Sequence, residues 1–370
     1  MMKSERVETG KVGIIGAGQL GRMLALAGYP LGLQFAMLDP NPAACGGQVA
    51  PLTVASFDDR QALAELAQKV DLVTFEFENV PVDALEFLAG RVEVFPRPAV
   101  LETAQDRLRE KECFQQLAIP TPAYRPVSAK QELQEAAAEL GLPAVLKTRR
   151  LGYDGKGQVV LRQEADLAAA WDSLGGSALI LESFVPFERE VSQVAVRGRD
   201  GEMVFYPLAE NTHREGILHL SLARPGDPLQ AQAEDYSRRI MEHFDYVGVM
   251  AFEFFQTDTG LVANEIAPRV HNSGHWTIEG TETSQFANHL RAILGWPLGS
   301  TEPVGQAAML NFIGELPKAA ELLQHPGLHL HAYGKSAAPG RKVGHATLRL
   351  PAAADLPAAL RRLTDSLGSN

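Results

Sequence analysis

Residues 247–275 read VGVMAFEFFQTDTGLVANEIAPRVHNSGH, and they hold the two acidic residues on which the reading of this chain turns. Glu253 and Glu265 each interrupt an apolar run of the kind that forms a buried strand. Between the runs, Thr257-Asp258-Thr259-Gly260 is a turn signal. A three-residue hairpin loop of Asp258, Thr259 and Gly260, with Gly260 in the left-handed region, sets Glu253 opposite Glu265 on one face. Two like charges withdrawn from water together are costly, so one is protonated or a cation sits between them. Oxygen donors favour magnesium, which keeps water and phosphate among its ligands. An exposed hairpin with two solvated glutamates is the plainer alternative.

Basic, glycine-rich segments flank this hairpin in the chain. Residues 148–158, TRRLGYDGKGQ, carry Gly152, Gly155 and Gly157 among Lys147, Arg149, Arg150 and Lys156. Such a loop between strands can close over phosphates, with backbone N–H groups forming an anion nest. It is not a Walker A loop, since Gln158 follows Gly157 where a Lys is needed. Downstream, residues 333–344, YGKSAAPGRKVG, gather Lys335, Arg341 and Lys342 into a patch suited to a phosphomonoester. A solvated loop of charges is the alternative for either segment.

The chain begins with a strand, Gly-rich turn, helix and strand over 11–38, and Gly16, Gly18 and Gly21 complete G-x-G-x-x-G. Asp39 closes the second strand about 20 residues on, as in dinucleotide-binding folds. An NAD-dependent oxidoreductase is therefore a competing reading, as is a structural tight turn. Further βα units, with strands at 72–76 and 92–95, predict a parallel α/β domain ending near residue 105. Glu76 and Glu78 stand at the carboxyl end of the strand at 72–76, where open sheets bind ligands, or where one caps a turn and the other is solvated.

Residues 106–117 read as a polar helix, and IPTPAYRPV after them as a connector. A strand at 178–182 runs into Ser183-Phe184-Val185-Pro186, an extended linker able to face a purine edge. His213, in a polar loop, reads alone as a surface histidine. His271 and His275 are four apart, but Asn272-Ser273-Gly274 argues against the helix that joint metal ligation would need. Arg269 and His271 instead aim into the cleft of Glu265. After a linker near Trp296-Pro297-Leu298-Gly299, strands at 307–312 and 345–350 and an amphipathic helix end the chain.

A net charge of -11 argues against a generic nucleic-acid partner, while leaving anionic small substrates open to local basic clusters. Cys45 and Cys113 sit in unrelated settings, as in a reduced cytoplasmic protein. The start is charged and the first apolar stretch is broken by glycines, Gln19 and Arg22, so neither a signal peptide nor a membrane span is expected.

Taken in order, GAGQLGRM, EFENV, GYDGKGQ, ESFV, AFEFF, NEIAPRVHNSGHWTIEG and YGKSAAPGRKVGH resemble the ATP-grasp superfamily across nearly the whole chain. The resemblance is to its purine-biosynthetic branch, which carboxylates the amine of aminoimidazole ribonucleotide. It implies a pre-ATP-grasp parallel α/β domain (1–105), a two-lobed α+β ATP-grasp fold (106–300) and a small C-terminal β-rich domain (301–370). It also implies ATP, Mg2+, bicarbonate, a carboxyphosphate intermediate and a homodimer. By motif, ATP would be held by Arg107, Lys147, the loop Gly152, Tyr153, Asp154, Gly155, Lys156, Gly157 and Gln158, and the linker Glu182, Ser183, Phe184 and Val185. Glu190 resembles the ribose-binding acid and His213 a nucleotide contact. Glu253 and Glu265, beside Asn264, resemble the metal ligands. The ribonucleotide would lie on Gly18, Gln19, Leu20 and Glu76, with its phosphate on Lys335, Arg341 and Lys342. Tyr153, Asp154, Lys156, Arg269 and His271 would surround the reacting centre, with Asp154 and His271 both open as its base. A sister ligase transferring formate, or a non-catalytic nucleotide-binding protein, shares the architecture.

Overall fold

The computed structural model describes residues 10–152 and 155–368. Its first sheet is parallel, with β1 Lys11–Ile15, β2 Gln34–Asp39, β3 Leu52–Val54, β4 Leu72–Phe75 and β5 Glu93–Val94 in the order β3-β2-β1-β4-β5. The apolar runs KVGII and LVTF are buried on both faces, which helices on either side of a parallel sheet require. Strand order reverses between β1 and β4. The crevice at their carboxyl ends, where Gly16 and Glu76 stand, is the ligand position of such sheets.

A smaller antiparallel sheet follows: β6 Tyr124–Val127, β7 Ala144–Thr148, β8 Gln158–Leu161 and β9 Leu179–Ser183, ordered β6-β9-β7-β8. Alternation along β7 sends Ala144 and Leu146 toward the helices Lys130–Leu140 and Asp166–Leu174, and Val145 and Lys147 toward the cleft.

The large sheet holds β10 Arg189–Arg197, β11 Met203–Phe205, β12 Leu208–Arg214, β13 Ile217–Arg224, β14 Gly248–Thr257, β15 Gly260–Ala267, β16 Gln306–Ile313, β17 Leu328–Ala332 and β18 Lys342–Leu350. Its main path runs β15-β14-β10-β12-β13-β16-β18-β17. The C-terminal strands therefore continue the central sheet through the β13–β16 pairing instead of forming a sheet of their own.

The opening hairpin differs from expectation in one respect. Thr257 pairs with Gly260, so the loop is the two residues Asp258 and Thr259 rather than three. That register alone would set Glu253 opposite Asn264. The ladder shifts between Glu253 and Phe254, however: Phe254 pairs with Ala263 and Glu253 with Glu265, leaving Asn264 as a bulge. The odd residue is thus supplied near the site and not by the turn, and the two glutamates still share a face. Residues Asn272–Gly274 form one short 3-10 turn where no helical segment is expected.

Candidate active site

Opposite the hairpin lies the helix Arg107–Gln116, capped by Asp106, whose carboxylate accepts the Leu108 N–H and two bonds from Arg149. This helix is less solvated than its composition predicts. Glu110 is 1% and Lys111 0% exposed, because positions 107, 110 and 111 share the face turned to β15. Arg107 donates to Glu265 Oε2 at 2.7 Å. Burial works against the charge of Glu265, but Arg107 outweighs it and holds this carboxyl below its ordinary range. Across the ladder, burial and the Glu265 charge push Glu253 up to about 7. The pair divides as two crowded carboxylates must, one ionised and one drawn toward its proton.

A cavity of about 310 Å³ opens between the small and large sheets. Its walls include Arg107, Lys147, Gly155, Lys156, Gln158, Glu182, Ser183, Phe184, Val185, Glu190, His213, Glu253, Asn264 and Glu265, the greater part of the expected nucleotide set. Lys147 donates to Glu182 at 2.8 Å, and Lys111 lies 3.9 Å from the same oxygen. Burial disfavours the Glu182 anion, yet these ammonium groups hold it down at about 2. His213 is no surface histidine: it lies 2.8 Å from Glu190 on the cavity wall. Desolvation works against its imidazolium, and Glu190 overrides this, raising it above the ordinary value. Gly155 and Gly157 have φ of +73°, and a Cβ on Gly155 would stand 2.9 Å from Gly216 Cα, so the glycine loop already reaches the β12–β13 turn. Gly152 borders the neighbouring cavity. Tyr153 and Asp154 lie outside the described residues.

That neighbouring cavity, about 450 Å³, runs toward the first sheet and is bordered by Gln19, Leu20, Glu76, Arg269, His271, Lys335 and Lys342. Lys335 donates to Gln19, tying the C-terminal loop to the glycine turn. Glu76 accepts the N–H groups of Gly18 and Gly21 at 2.5 and 2.9 Å, and Asp39 that of Ala17 at 2.8 Å. The anion position of the G-x-G-x-x-G turn is therefore filled by the protein's own carboxylate, which removes the basis of the dinucleotide reading. Gly18 serves Glu76 and is not on the cavity wall. Arg341 also departs from expectation, since its guanidinium bonds Ser336 in its own loop. Glu78, for which a ligand-binding strand end stood against a turn cap or a solvated surface, borders this cavity and pairs with Arg269 at 2.5 Å.

His271 Nδ1 accepts the Ser273 N–H at 3.3 Å and lies 2.9 Å from Ser273 Oγ, itself a partner of Ser192. The ring proton is thereby placed on Nε2, which faces Glu253 Oε1 at 3.7 Å. Burial, with Arg269 and Lys342 nearby, holds His271 well below the ordinary histidine value, so the ring is neutral.

Two lobes closing on paired carboxylates and a buried lysine behind a glycine loop define an ATP-grasp carbon–nitrogen ligase. Family profiles match in the corresponding order: a ribonucleotide synthetase preATP-grasp domain over residues 9–105, an ATP-grasp domain over 112–286 and a phosphoribosylaminoimidazole carboxylase C-terminal domain over 307–358. The N5-carboxyaminoimidazole ribonucleotide synthase of Pseudomonas aeruginosa is 60% identical over 348 residues, 94% of this chain and 97% of that protein. The N5-carboxyaminoimidazole ribonucleotide synthetase structure from Thermus thermophilus is 58% identical, with a TM-score of 0.91 over 97% of this chain and 98% of that one. The N5-carboxyaminoimidazole synthase of Aspergillus clavatus, in complex with ADP and 5-aminoimidazole ribonucleotide, is 32% identical, with a TM-score of 0.91 over 98% of this chain and 100% of that one. The chain belongs to the N5-carboxyaminoimidazole ribonucleotide synthase family.

Proposed function

We propose that this enzyme carboxylates the exocyclic amine of 5-aminoimidazole ribonucleotide, using ATP and bicarbonate and passing through carboxyphosphate. The products are 5-(carboxyamino)imidazole ribonucleotide, ADP and phosphate. The observation that carries this reading is the wall shared by the two cavities: Arg107, Glu253, Glu265, His271, Asn272 and Lys342 border both. Nucleotide in one and ribonucleotide in the other would meet there, as an intermediate handed from phosphate to amine requires.

The donor set suits magnesium. Glu253 and Glu265 offer hard oxygens on one face, and their crowded charges favour a cation. Among the described residues no group of three or more His, Cys, Asp or Glu lies together as a metal site, so such an ion would take its remaining ligands from nucleotide and water. When bound, it would neutralise charge on the transferring phosphoryl group.

Bicarbonate oxygen attacks the γ-phosphorus and ADP leaves; the amine nitrogen then attacks the carboxyl carbon, directly or as released carbon dioxide, and phosphate leaves. Lys147, held by Glu182, is placed to turn its ammonium to the phosphates. The glycine loop, touching the opposite lobe at Gly216, would keep water from the anhydride. The tautomer of His271 supports a donor role at the reacting centre, which leaves Asp154 as the candidate base. The reading extends to a homodimer working in the cytoplasm. No helix among the described residues is long and apolar enough to cross a membrane. ADP release measured with aminoimidazole ribonucleotide, with and without bicarbonate, tests it: release that ignores bicarbonate, or that needs formate, would reject this assignment.

A further inference from the structure

The bulge at Asn264 decides whether Glu265 faces the cavities, and the structure assigns its maintenance to Lys111, as a positioning residue. This rests on reading Glu253 and Glu265 as the magnesium seat. A two-residue turn continued as a regular ladder would turn Glu265 to the opposite face, because a slip of one residue reverses every side chain. The bulge prevents that, but it breaks the ladder and leaves backbone groups to be satisfied elsewhere.

Lys111 reaches the carbonyls at the bulge, one of them shared with Thr121 Oγ1, which donates to Ala263 O at 3.2 Å. Its Nζ donates to Asn264 O at 2.8 Å and to Ala263 O at 3.3 Å, the two carbonyls around the bulge. One turn of the same helix adds Glu110, which accepts the Ile266 N–H at 2.8 Å, and Arg107, which holds the Glu265 carboxylate. Lys111 is wholly buried, an expensive position for an ammonium unless its charge and donors are used. The charge faces Glu182 at 3.9 Å, and the donors are spent on the bulge.

The test is calorimetric binding of ADP to the full chain, with Mg2+ and with EDTA. Wild type should bind ADP more tightly with Mg2+; if it does not, the magnesium seat itself is misassigned. Lys111→Met, close in shape but without donors, should lose most of that gain, roughly tenfold in the ratio of the two affinities, a ratio in which any effect passed through Glu182 to ADP itself cancels. Lys111→Gln, which keeps one N–H donor within reach of a carbonyl, should lose less, and it decides the matter if Lys111→Met lacks a cooperative thermal transition. A full Mg2+-dependent gain in either folded variant would overturn the assignment.

Discussion

The carboxylate of Glu76 accepts the N–H of Gly21 at 2.9 Å, bridging the end of β4 to the first turn of the helix Gln19–Gly28. With Gly18 as its second donor, Glu76 occupies the place where a dinucleotide-binding turn receives a pyrophosphate. The fit is close: a Cβ on Gly16 or Gly18 would stand 2.6 or 2.7 Å from Glu76 atoms. Glu76→Ala should therefore strand two N–H donors, one buried and one partly buried, and cost about 1–3 kcal/mol of stability. It should also raise the apparent KM for the ribonucleotide without creating NADH affinity. Denaturant titration and steady-state kinetics check the two effects separately, and NADH binding by either protein would revive the dinucleotide reading.

Local pattern makes much of this protein legible. The apolar runs around Glu253 and Glu265 mark both strands, and the glycine spacing marks the loop that reaches Gly216. What stays hidden depends on long-range pairing or on charges used internally. Lys111 and Glu110 look like a solvated helix face because composition cannot show that β15 covers them. The bulge at Asn264 leaves no periodic signature in so short a strand. The strand LHLHA, Leu328–Ala332, escapes a pattern reading because its histidines mask the alternation, although they pack against β18. His213 needs its partner Glu190, which lies on another strand, before it can be placed.

His289 joins the first sheet to the large one: Nδ1 accepts the Val249 N–H at 3.1 Å, and Nε2 bonds Thr74 Oγ1 at 2.9 Å. Burial holds it down at about 3 from an ordinary 6.5. Between these values the unfolded chain binds a proton that the folded one refuses, so this contribution is complete above 6.5 and falls as pH falls. His289→Asn keeps an acceptor for Val249 and removes the titration. It should be less stable than wild type at pH near 7.5, with the gap narrowing by about 1.4 kcal/mol per pH unit below about 6.5. Urea denaturation of both proteins at neutral pH and at pH near 5 measures this, and subtraction cancels the other buried histidines. A gap independent of pH would contradict it.

Lys335 and Arg341 share a loop but not an orientation. Lys335 borders the cavity beside Gln19, whereas Arg341 is turned back onto Ser336. Lys335→Ala should raise the KM for the ribonucleotide by roughly tenfold or more, the scale of losing a charge-assisted contact, with kcat less affected. Arg341→Ala should change it by no more than about threefold unless the loop rearranges when substrate arrives. Equal, large effects from both would mean that the loop turns Arg341 inward on binding.

Gly155 combines a φ of +73° with a near-contact to Gly216, so an added methyl would strain its own backbone and press on the opposite lobe. That contact joins the loop to the opposite lobe, so Gly155→Ala should oppose closure more than folding. If closure protects the anhydride from water, the variant should still release phosphate but form less carboxylated product per ADP. The ratio of product to ADP at saturating substrates is the measurement that separates this from a slower but intact reaction. A lower rate with an unchanged ratio would show that water is excluded by some other element, and the burden would pass to the interface between the two cavities.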